Sequence, residues 1–235
     1  MPSEALLAWT SYDAVLFDLD GVVTPTAEIH ERAWAELFAD YDYTPADYLA
    51  YIDGKPRYDG VASFLESRDV QLPWGDPSDA PGSDTVCAMG NRKNGNFNEI
   101  LARDHIAPYP GTVEVIELLD RHEVAQAIVS SSKNARSVLA AAGMGDQFET
   151  VVDGVTAVDE HLAGKPAPDM FLLAAKRLGI SPGRCVVVED AVAGVAAGVA
   201  GGFGYVLGVD RGGNRKSLDE AGATAVVDDL GETLT

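Results

Sequence analysis

Basic residues are scarce in this chain of 235 residues: 17 Lys and Arg stand against 37 Asp and Glu, a formal net charge of −20. Such a surface repels phosphate-rich polymers and anionic bilayers, so neither a nucleic acid nor a membrane is expected as a partner. Long apolar runs are missing too. Hydrophobic residues make up 46% of the chain, enough for a large core, yet no run approaches the roughly 18 residues that mark a membrane span. The first residues lack a basic segment followed by an apolar one, so no secretory signal is expected and a cytoplasmic, monomeric protein is anticipated. Only two cysteines occur, Cys87 and Cys185, and both are expected to be free thiols.

What the chain does hold is a set of short apolar runs that end in polar chemistry. Ala14-Val15-Leu16 reads as a buried parallel strand, and it runs straight into Phe17-Asp18-Leu19-Asp20-Gly21. Two acids and a glycine cannot continue a buried strand, so a sharp loop is expected there, at the sheet edge where open α/β folds bind ligands. Ile128-Val129-Ser130-Ser131 is a second such strand, ending in hydroxyls. Val186-Val187-Val188-Glu189-Asp190 is a third, ending in acids, and Gly164-Lys165-Pro166 sets a lysine in a rigid loop. On one edge of one parallel sheet these groups could gather a hard cation, a phosphate and a carboxylate nucleophile. For Glu189-Asp190 an additional reading is capping of the following helix, with Asp190 serving both ends.

Strands alternate with helices from Pro108 onward, which predicts a doubly wound parallel sheet covered on both faces. Expected strands are 125–130, 149–152, 185–188, 205–209 and 225–227; expected helices are 112–121, 134–142, 168–178, 192–200 and 216–221. From Thr26 to Ala107 no strand pattern occurs, and helices are expected at 26–39, after Pro45, from about Asp59 as a cap, and over 85–103. Gly54-Lys55-Pro56-Arg57 is read as a break. An α/β core of 1–25 and 108–235 with an inserted helical domain of 26–107 follows, hinged near 24–27 and 103–108.

These strings, in this order, resemble the four signature motifs of the haloacid dehalogenase superfamily, with its Rossmann-like core and helical cap. The resemblance implies Asp18 as nucleophile, forming an aspartyl-phosphate, and Asp20 as general acid/base. It implies Mg²⁺ held by Asp18, Glu189, Asp190 and the main-chain carbonyl of Asp20, and the transferring phosphate held by Ser130, Ser131 and Lys165. Haloacid dehalogenation itself is disfavoured, because a metal set and a proton donor serve phosphate chemistry.

Within the superfamily the chain looks most like the β-phosphoglucomutase group. Thr24 to His30 with Arg32-Ala33-Trp34 match that group's segment after the first motif, apart from Pro25, which stands where an acid is usual. Thr26, His30 and Trp34 are thereby implicated beside Asp20 and the substrate. Arg57 matches an arginine that grips the non-reacting phosphate, Lys93 and Asn94 match cap residues that meet the sugar, and Ser132, Lys133 and Asn134 match a loop facing the distal phosphate. A mutase must hold a sugar bisphosphate in two orientations, and Arg57, Lys93, Lys133 and Lys165 supply cations for both ends. The implied activity is Mg²⁺-dependent interconversion of β-glucose 1-phosphate and glucose 6-phosphate through a bisphosphate. A sugar-phosphate phosphatase is the alternative, and a non-catalytic sugar-phosphate binder the third.

Overall fold

The computed structural model describes residues 7–53, 55–104 and 106–234. Gly54 in the predicted break, His105 in the predicted return hinge, and the first six residues lie outside them.

Six strands form one parallel sheet in the order β3-β2-β1-β4-β5-β6. They are β1 (Ala14–Phe17), β2 (Ala125–Val129), β3 (Thr150–Val152), β4 (Cys185–Glu189), β5 (Tyr205–Val209) and β6 (Ala225–Val227). The expected doubly wound α/β fold is what the chain adopts. β1 and β4 are apolar throughout but for Glu189 and wholly buried, as a sheet covered on both faces requires. Two apolar clusters flank the sheet, one around Val15, Phe17 and Val188, the other around Leu16, Val187 and Phe171. The alternation of side chains along β1 divides them.

The covering helices are α5 (Pro110–Arg121), α6 (Ala135–Ala141), α7 (Gly154–Asp159), α8 (Asp169–Leu178), α9 (Val192–Ala200) and α10 (Arg215–Glu220). α8 stops where Gly179 takes the left-handed conformation, φ 73°. α7 was not anticipated. Val155, Thr156 and Val158 are β-branched and hide it, whereas Asp153 makes it: its carboxylate accepts from the N–H groups of Val155 and Thr156 (3.1 and 2.8 Å).

Between β1 and α5 lie α1 (Thr26–Leu37), the single turn α2 (Pro45–Asp47) with a π-helical Tyr48–Ile52, α3 (Arg57–Glu66) and α4 (Val86–Arg103). Ile29, Ala33, Trp34 and Leu37 line one side of α1, at helical spacing, and all are buried. This block has its own apolar cluster, in which Phe38 lies 4.0 Å from Phe64 between ring centroids. The expected capping by Asp59 is corrected: α3 already begins at Arg57 after Pro56, whose fixed φ suits that entry. Cys87 and Cys185 are both free and buried. No helix among the described residues is long and apolar enough to cross a membrane.

Candidate active site

Register builds the site. Phe17 pairs with Ile128 on one side and with Val188 on the other, so Asp18, Val129 with Ser130, and Glu189 leave three neighbouring strands at one level. Lys165 fills the gap between them. Its ammonium donates to Asp18 Oδ1 (2.6 Å), Glu189 Oε1 (2.5 Å) and the carbonyl of Val129 (3.0 Å), and its side chain is only 2% exposed. A lysine so placed is a fixed charge, with three acceptors for three N–H groups.

Oxygens of Asp18, Glu189 and Asp190 all lie within 4.8 Å of one another. Three carboxylates crowded out of water repel each other: burial first, and then neighbouring acids, raise the pKa values of Asp18 and Asp190 well above the usual carboxylate range, against the pull of Lys165. An all-oxygen donor set under that strain fits a hard divalent cation such as Mg²⁺. The expected capping role of Asp190 does not hold. Ala191 is the N-cap of α9 without a side-chain bond, and its N–H is taken by Glu189 Oε2 (3.0 Å).

Asp20 turns its carboxylate to other partners. Thr26 Oγ1 donates to Oδ1, Ser130 Oγ lies 3.3 Å from Oδ2, and His30 Nε2 stands 3.4 Å from Oδ1. Burial alone would raise the Asp20 pKa, but His30, Thr26 and Lys93 more than offset it and hold the carboxyl at about 2. With nothing bound Asp20 is therefore a proton acceptor, and an anionic phosphate beside it would oppose its ionisation and favour the protonated form. Lys93 bonds His30 Nδ1 and lies 5.0 Å from the ring centroids of Trp34 and of Phe97, with 3% exposure. Burial, followed by Arg57, brings its pKa down to about 7.

A cavity of about 640 Å³ runs from this cluster into the helical block. Asp18, Asp20, His30, Trp34, Arg57, Lys93, Ser130, Ser131, Ser132, Lys133, Asn134, Lys165, Glu189 and Asp190 all line it. Thr26 and Asn94 do not. Thr26 is fully buried behind Asp20, and Asn94 acts as a bridge, its Oδ1 accepting from Arg57 Nη2 (2.8 Å) and from Asn134 Nδ2 (2.7 Å). The two blocks touch again at Gly164, where a Cβ would come within 2.7 Å of Pro56. Tyr48, Asp53, Trp74, Val158 and His161 also line the cavity and were not foreseen. Tyr48 is on the π-helical turn and Asp53 directly after it, Trp74 is in the loop before α4, Val158 is on α7 and His161 two residues past its end, and none of these segments carries a motif.

The model of the haloacid dehalogenase-like hydrolase family matches residues 12–202. The chain belongs to this family. Within the haloacid dehalogenase-like hydrolases it is 44% identical to a β-phosphoglucomutase of Mycobacterium tuberculosis, over 94% of this chain and 91% of the relative. It is 32% identical to the fructose-1-phosphate phosphatase YqaB of Escherichia coli, over 83% of this chain and 95% of the relative. Among solved structures, a β-phosphoglucomutase from Clostridium difficile superposes with a TM-score of 0.79 at 26% identity, covering 94% of this chain and 92% of the other. The chain is thus a haloacid dehalogenase-like enzyme with both mutases and phosphatases among its relatives.

Proposed function

We propose that this enzyme is a β-phosphoglucomutase, interconverting β-glucose 1-phosphate and glucose 6-phosphate through a glucose bisphosphate. The observation that carries the reading is a single cavity with cations at two ends. Lys165 stands beside Asp18, while Arg57 and Lys133 line the part shared by α3 and the loop before α6. A bisphosphate needs such a second cationic end, and a hydrolase of small monoesters does not. The 44% identity to a β-phosphoglucomutase supports the same assignment.

In this reading residues 26–107 act as a cap over a core of 1–25 and 108–235. Asp18 attacks phosphorus in line and forms an aspartyl-phosphate, with Lys165, Ser130 and Ser131 holding the phosphoryl oxygens. Asp20 moves the proton: it takes one from the sugar hydroxyl that attacks the aspartyl-phosphate, and gives the same proton to the sugar oxygen that leaves when Asp18 attacks the bisphosphate. Thr26 and His30 fix its carboxylate. Arg57, with its planar fork, suits the distal phosphate, joined by Lys133, Ser132 and Asn134; Lys93, Asn94 and Trp34 serve the sugar side. Mg²⁺, held by Asp18, Glu189, Asp190 and the carbonyl of Asp20, would neutralise the charge that otherwise keeps a carboxylate from an anionic phosphate. Small-molecule sugar phosphates are the partners, and the enzyme works as a cytoplasmic monomer.

³¹P NMR of the purified protein with Mg²⁺, β-glucose 1-phosphate and a catalytic amount of the bisphosphate tests this. Glucose 6-phosphate should accumulate. Inorganic phosphate as the dominant product would replace the mutase by the second reading, a sugar-phosphate phosphatase, which the identity to the Escherichia coli enzyme favours.

A further inference from the structure

The turn that carries Asp20 is held by residues that never reach the cavity. Leu19 to Thr24 folds on itself, with the N–H groups of Val23 and Thr24 both on the carbonyl of Leu19 (3.0 Å each) and Gly21 N–H on the carbonyl of Thr24 (2.8 Å). Gly21 is the weak point. Its φ of +93° and its approach to Asp190, where a Cβ would fall 1.8 Å from Oδ2, admit glycine alone. Glycine also leaves the backbone least restricted by its own sterics, so the turn's shape must be fixed from outside.

Three consecutive carbonyls of the turn are fixed in this way. Arg211 Nε donates to Gly21 O (2.8 Å), Thr112 Oγ1 to Val22 O (2.7 Å) and Tyr109 N–H to Val23 O (3.0 Å). Arg211 is itself locked. Its guanidinium carbon lies 3.6 Å from the centroid of the Tyr109 ring, and Nη1 donates to the carbonyl of Asp228 (2.9 Å). Asp210 pins the loop behind it, accepting from the N–H groups of Gly213, Asn214 and Arg215 at 2.6, 2.9 and 3.2 Å. From the same loop Asn214 Nδ2 holds the carbonyl of Asp190 (3.0 Å). One loop thus ties the acid/base turn and the acidic cluster to a common frame.

We propose that Arg211 and Thr112 are positioning residues for Asp20, fixing where its carboxylate sits by holding the carbonyls of Gly21 and Val22. The proposal rests on the reading of Asp20 as the group that moves the proton. A merely structural fastening would slow every reaction of the site alike. Positioning of a proton donor affects only reactions that need the proton, and a misplacement of about 1 Å costs on the order of 10²-fold.

The test compares two phosphoryl donors in single-turnover phosphorylation of the enzyme with Mg²⁺ present, followed by rapid quench. β-Glucose 1,6-bisphosphate expels a sugar oxygen that must be protonated, whereas acetyl phosphate expels acetate, which need not be. The readout is the ratio of the two rates. Asp20→Asn must lower that ratio, and if it does not, the assignment of Asp20 fails whatever the other variants do. Given that drop, Arg211→Ala and Thr112→Val are each expected to lower the ratio by about tenfold to a hundredfold. Thr112→Val keeps the side-chain shape and removes only the donor, so it answers the question if Arg211→Ala folds poorly. A ratio that stays at the wild-type value in both folded variants, with the two rates unchanged or falling together, overturns the proposal.

Discussion

Replacing Arg57 by alanine separates the two phosphate positions of the proposed site. The guanidinium is half-buried in the cavity wall, donates to Asn94 Oδ1 (2.8 Å) and packs beside Tyr58, its carbon 5.8 Å from the ring centroid. Burial pulls its pKa below the ordinary value, but an arginine keeps its charge at neutral pH. Deleting it leaves Asn94 Oδ1 with its second donor, Asn134 Nδ2 at 2.7 Å, so the contact between the two blocks survives. What is lost is a charge-assisted bond to the phosphate not in reaction, worth roughly 1.5–3 kcal/mol. At about 1.4 kcal/mol per decade that is a loss of about one to two decades in kcat/KM for β-glucose 1-phosphate. Acetyl phosphate has no second phosphate, so its kcat/KM should scarcely move. Steady-state kinetics of both substrates, in wild type and Arg57→Ala, decide the matter. Equal losses would mean that Arg57 serves cap closure or folding in general, and no loss on either would remove it from the site.

Asp18→Asn should abolish turnover with an unchanged circular dichroism spectrum and melting temperature, because Lys165 keeps Glu189 and the Val129 carbonyl as partners; wild-type turnover in a phosphatase-free preparation would refute the nucleophile. Chelation should abolish activity, with Mg²⁺ restoring it and Ca²⁺ failing, and Asp190→Ala should raise the Mg²⁺ concentration for half activity; full turnover in excess chelator would refute a metal-dependent reaction. Lys93→Met should change the pH dependence of stability. The folded pKa is about 7 against 10.5 for an ordinary lysine, so as pH falls from 10.5 to 7 the unfolded chain takes up a proton that the folded one refuses. Wild-type stability should drop through that window and level off below it, while Lys93→Met lacks the slope; parallel urea-midpoint curves would contradict the burial of the ammonium.

The parts of this molecule legible in the sequence are those with local signatures. An apolar run ending in acids or hydroxyls announces a strand and its loop together, which is why Asp18, Ser130 and Glu189 could be named before their convergence was visible. Lys165 was marked by its glycine and prolines. Long-range partners leave no such mark. Nothing local sets Arg211 or Thr112 apart, since each acts on a carbonyl whose own residue identity is irrelevant to the bond. Tyr48, Asp53 and Trp74 join the cavity only because the helical block folds over the sheet edge. Sequence spacing also misjudged helix starts. Asp190 and Asp59 are good capping residues by type, but Asp190 lies in the carboxylate cluster with Asp18 and Glu189, and an earlier entry at Pro56 supersedes Asp59.

The distribution of charge sets how substrate arrives. Five of the 17 basic residues, Lys55, Arg57, Lys93, Lys133 and Lys165, line the cavity, while the molecule as a whole carries −20. Six acids, Asp18, Asp20, Asp53, Asp59, Glu189 and Asp190, line the cavity as well, so a doubly charged sugar phosphate approaching from solution meets repulsion at long range and is held inside only by direct bonds to the individual cations. Most steered enzymes lose encounter rate as salt screens their field. Here the repulsive part extends furthest and is screened first, with a Debye length of about 8 Å at physiological ionic strength. Added salt should quicken the encounter and leave the grip inside the cavity largely intact, making capture fastest in crowded ionic conditions.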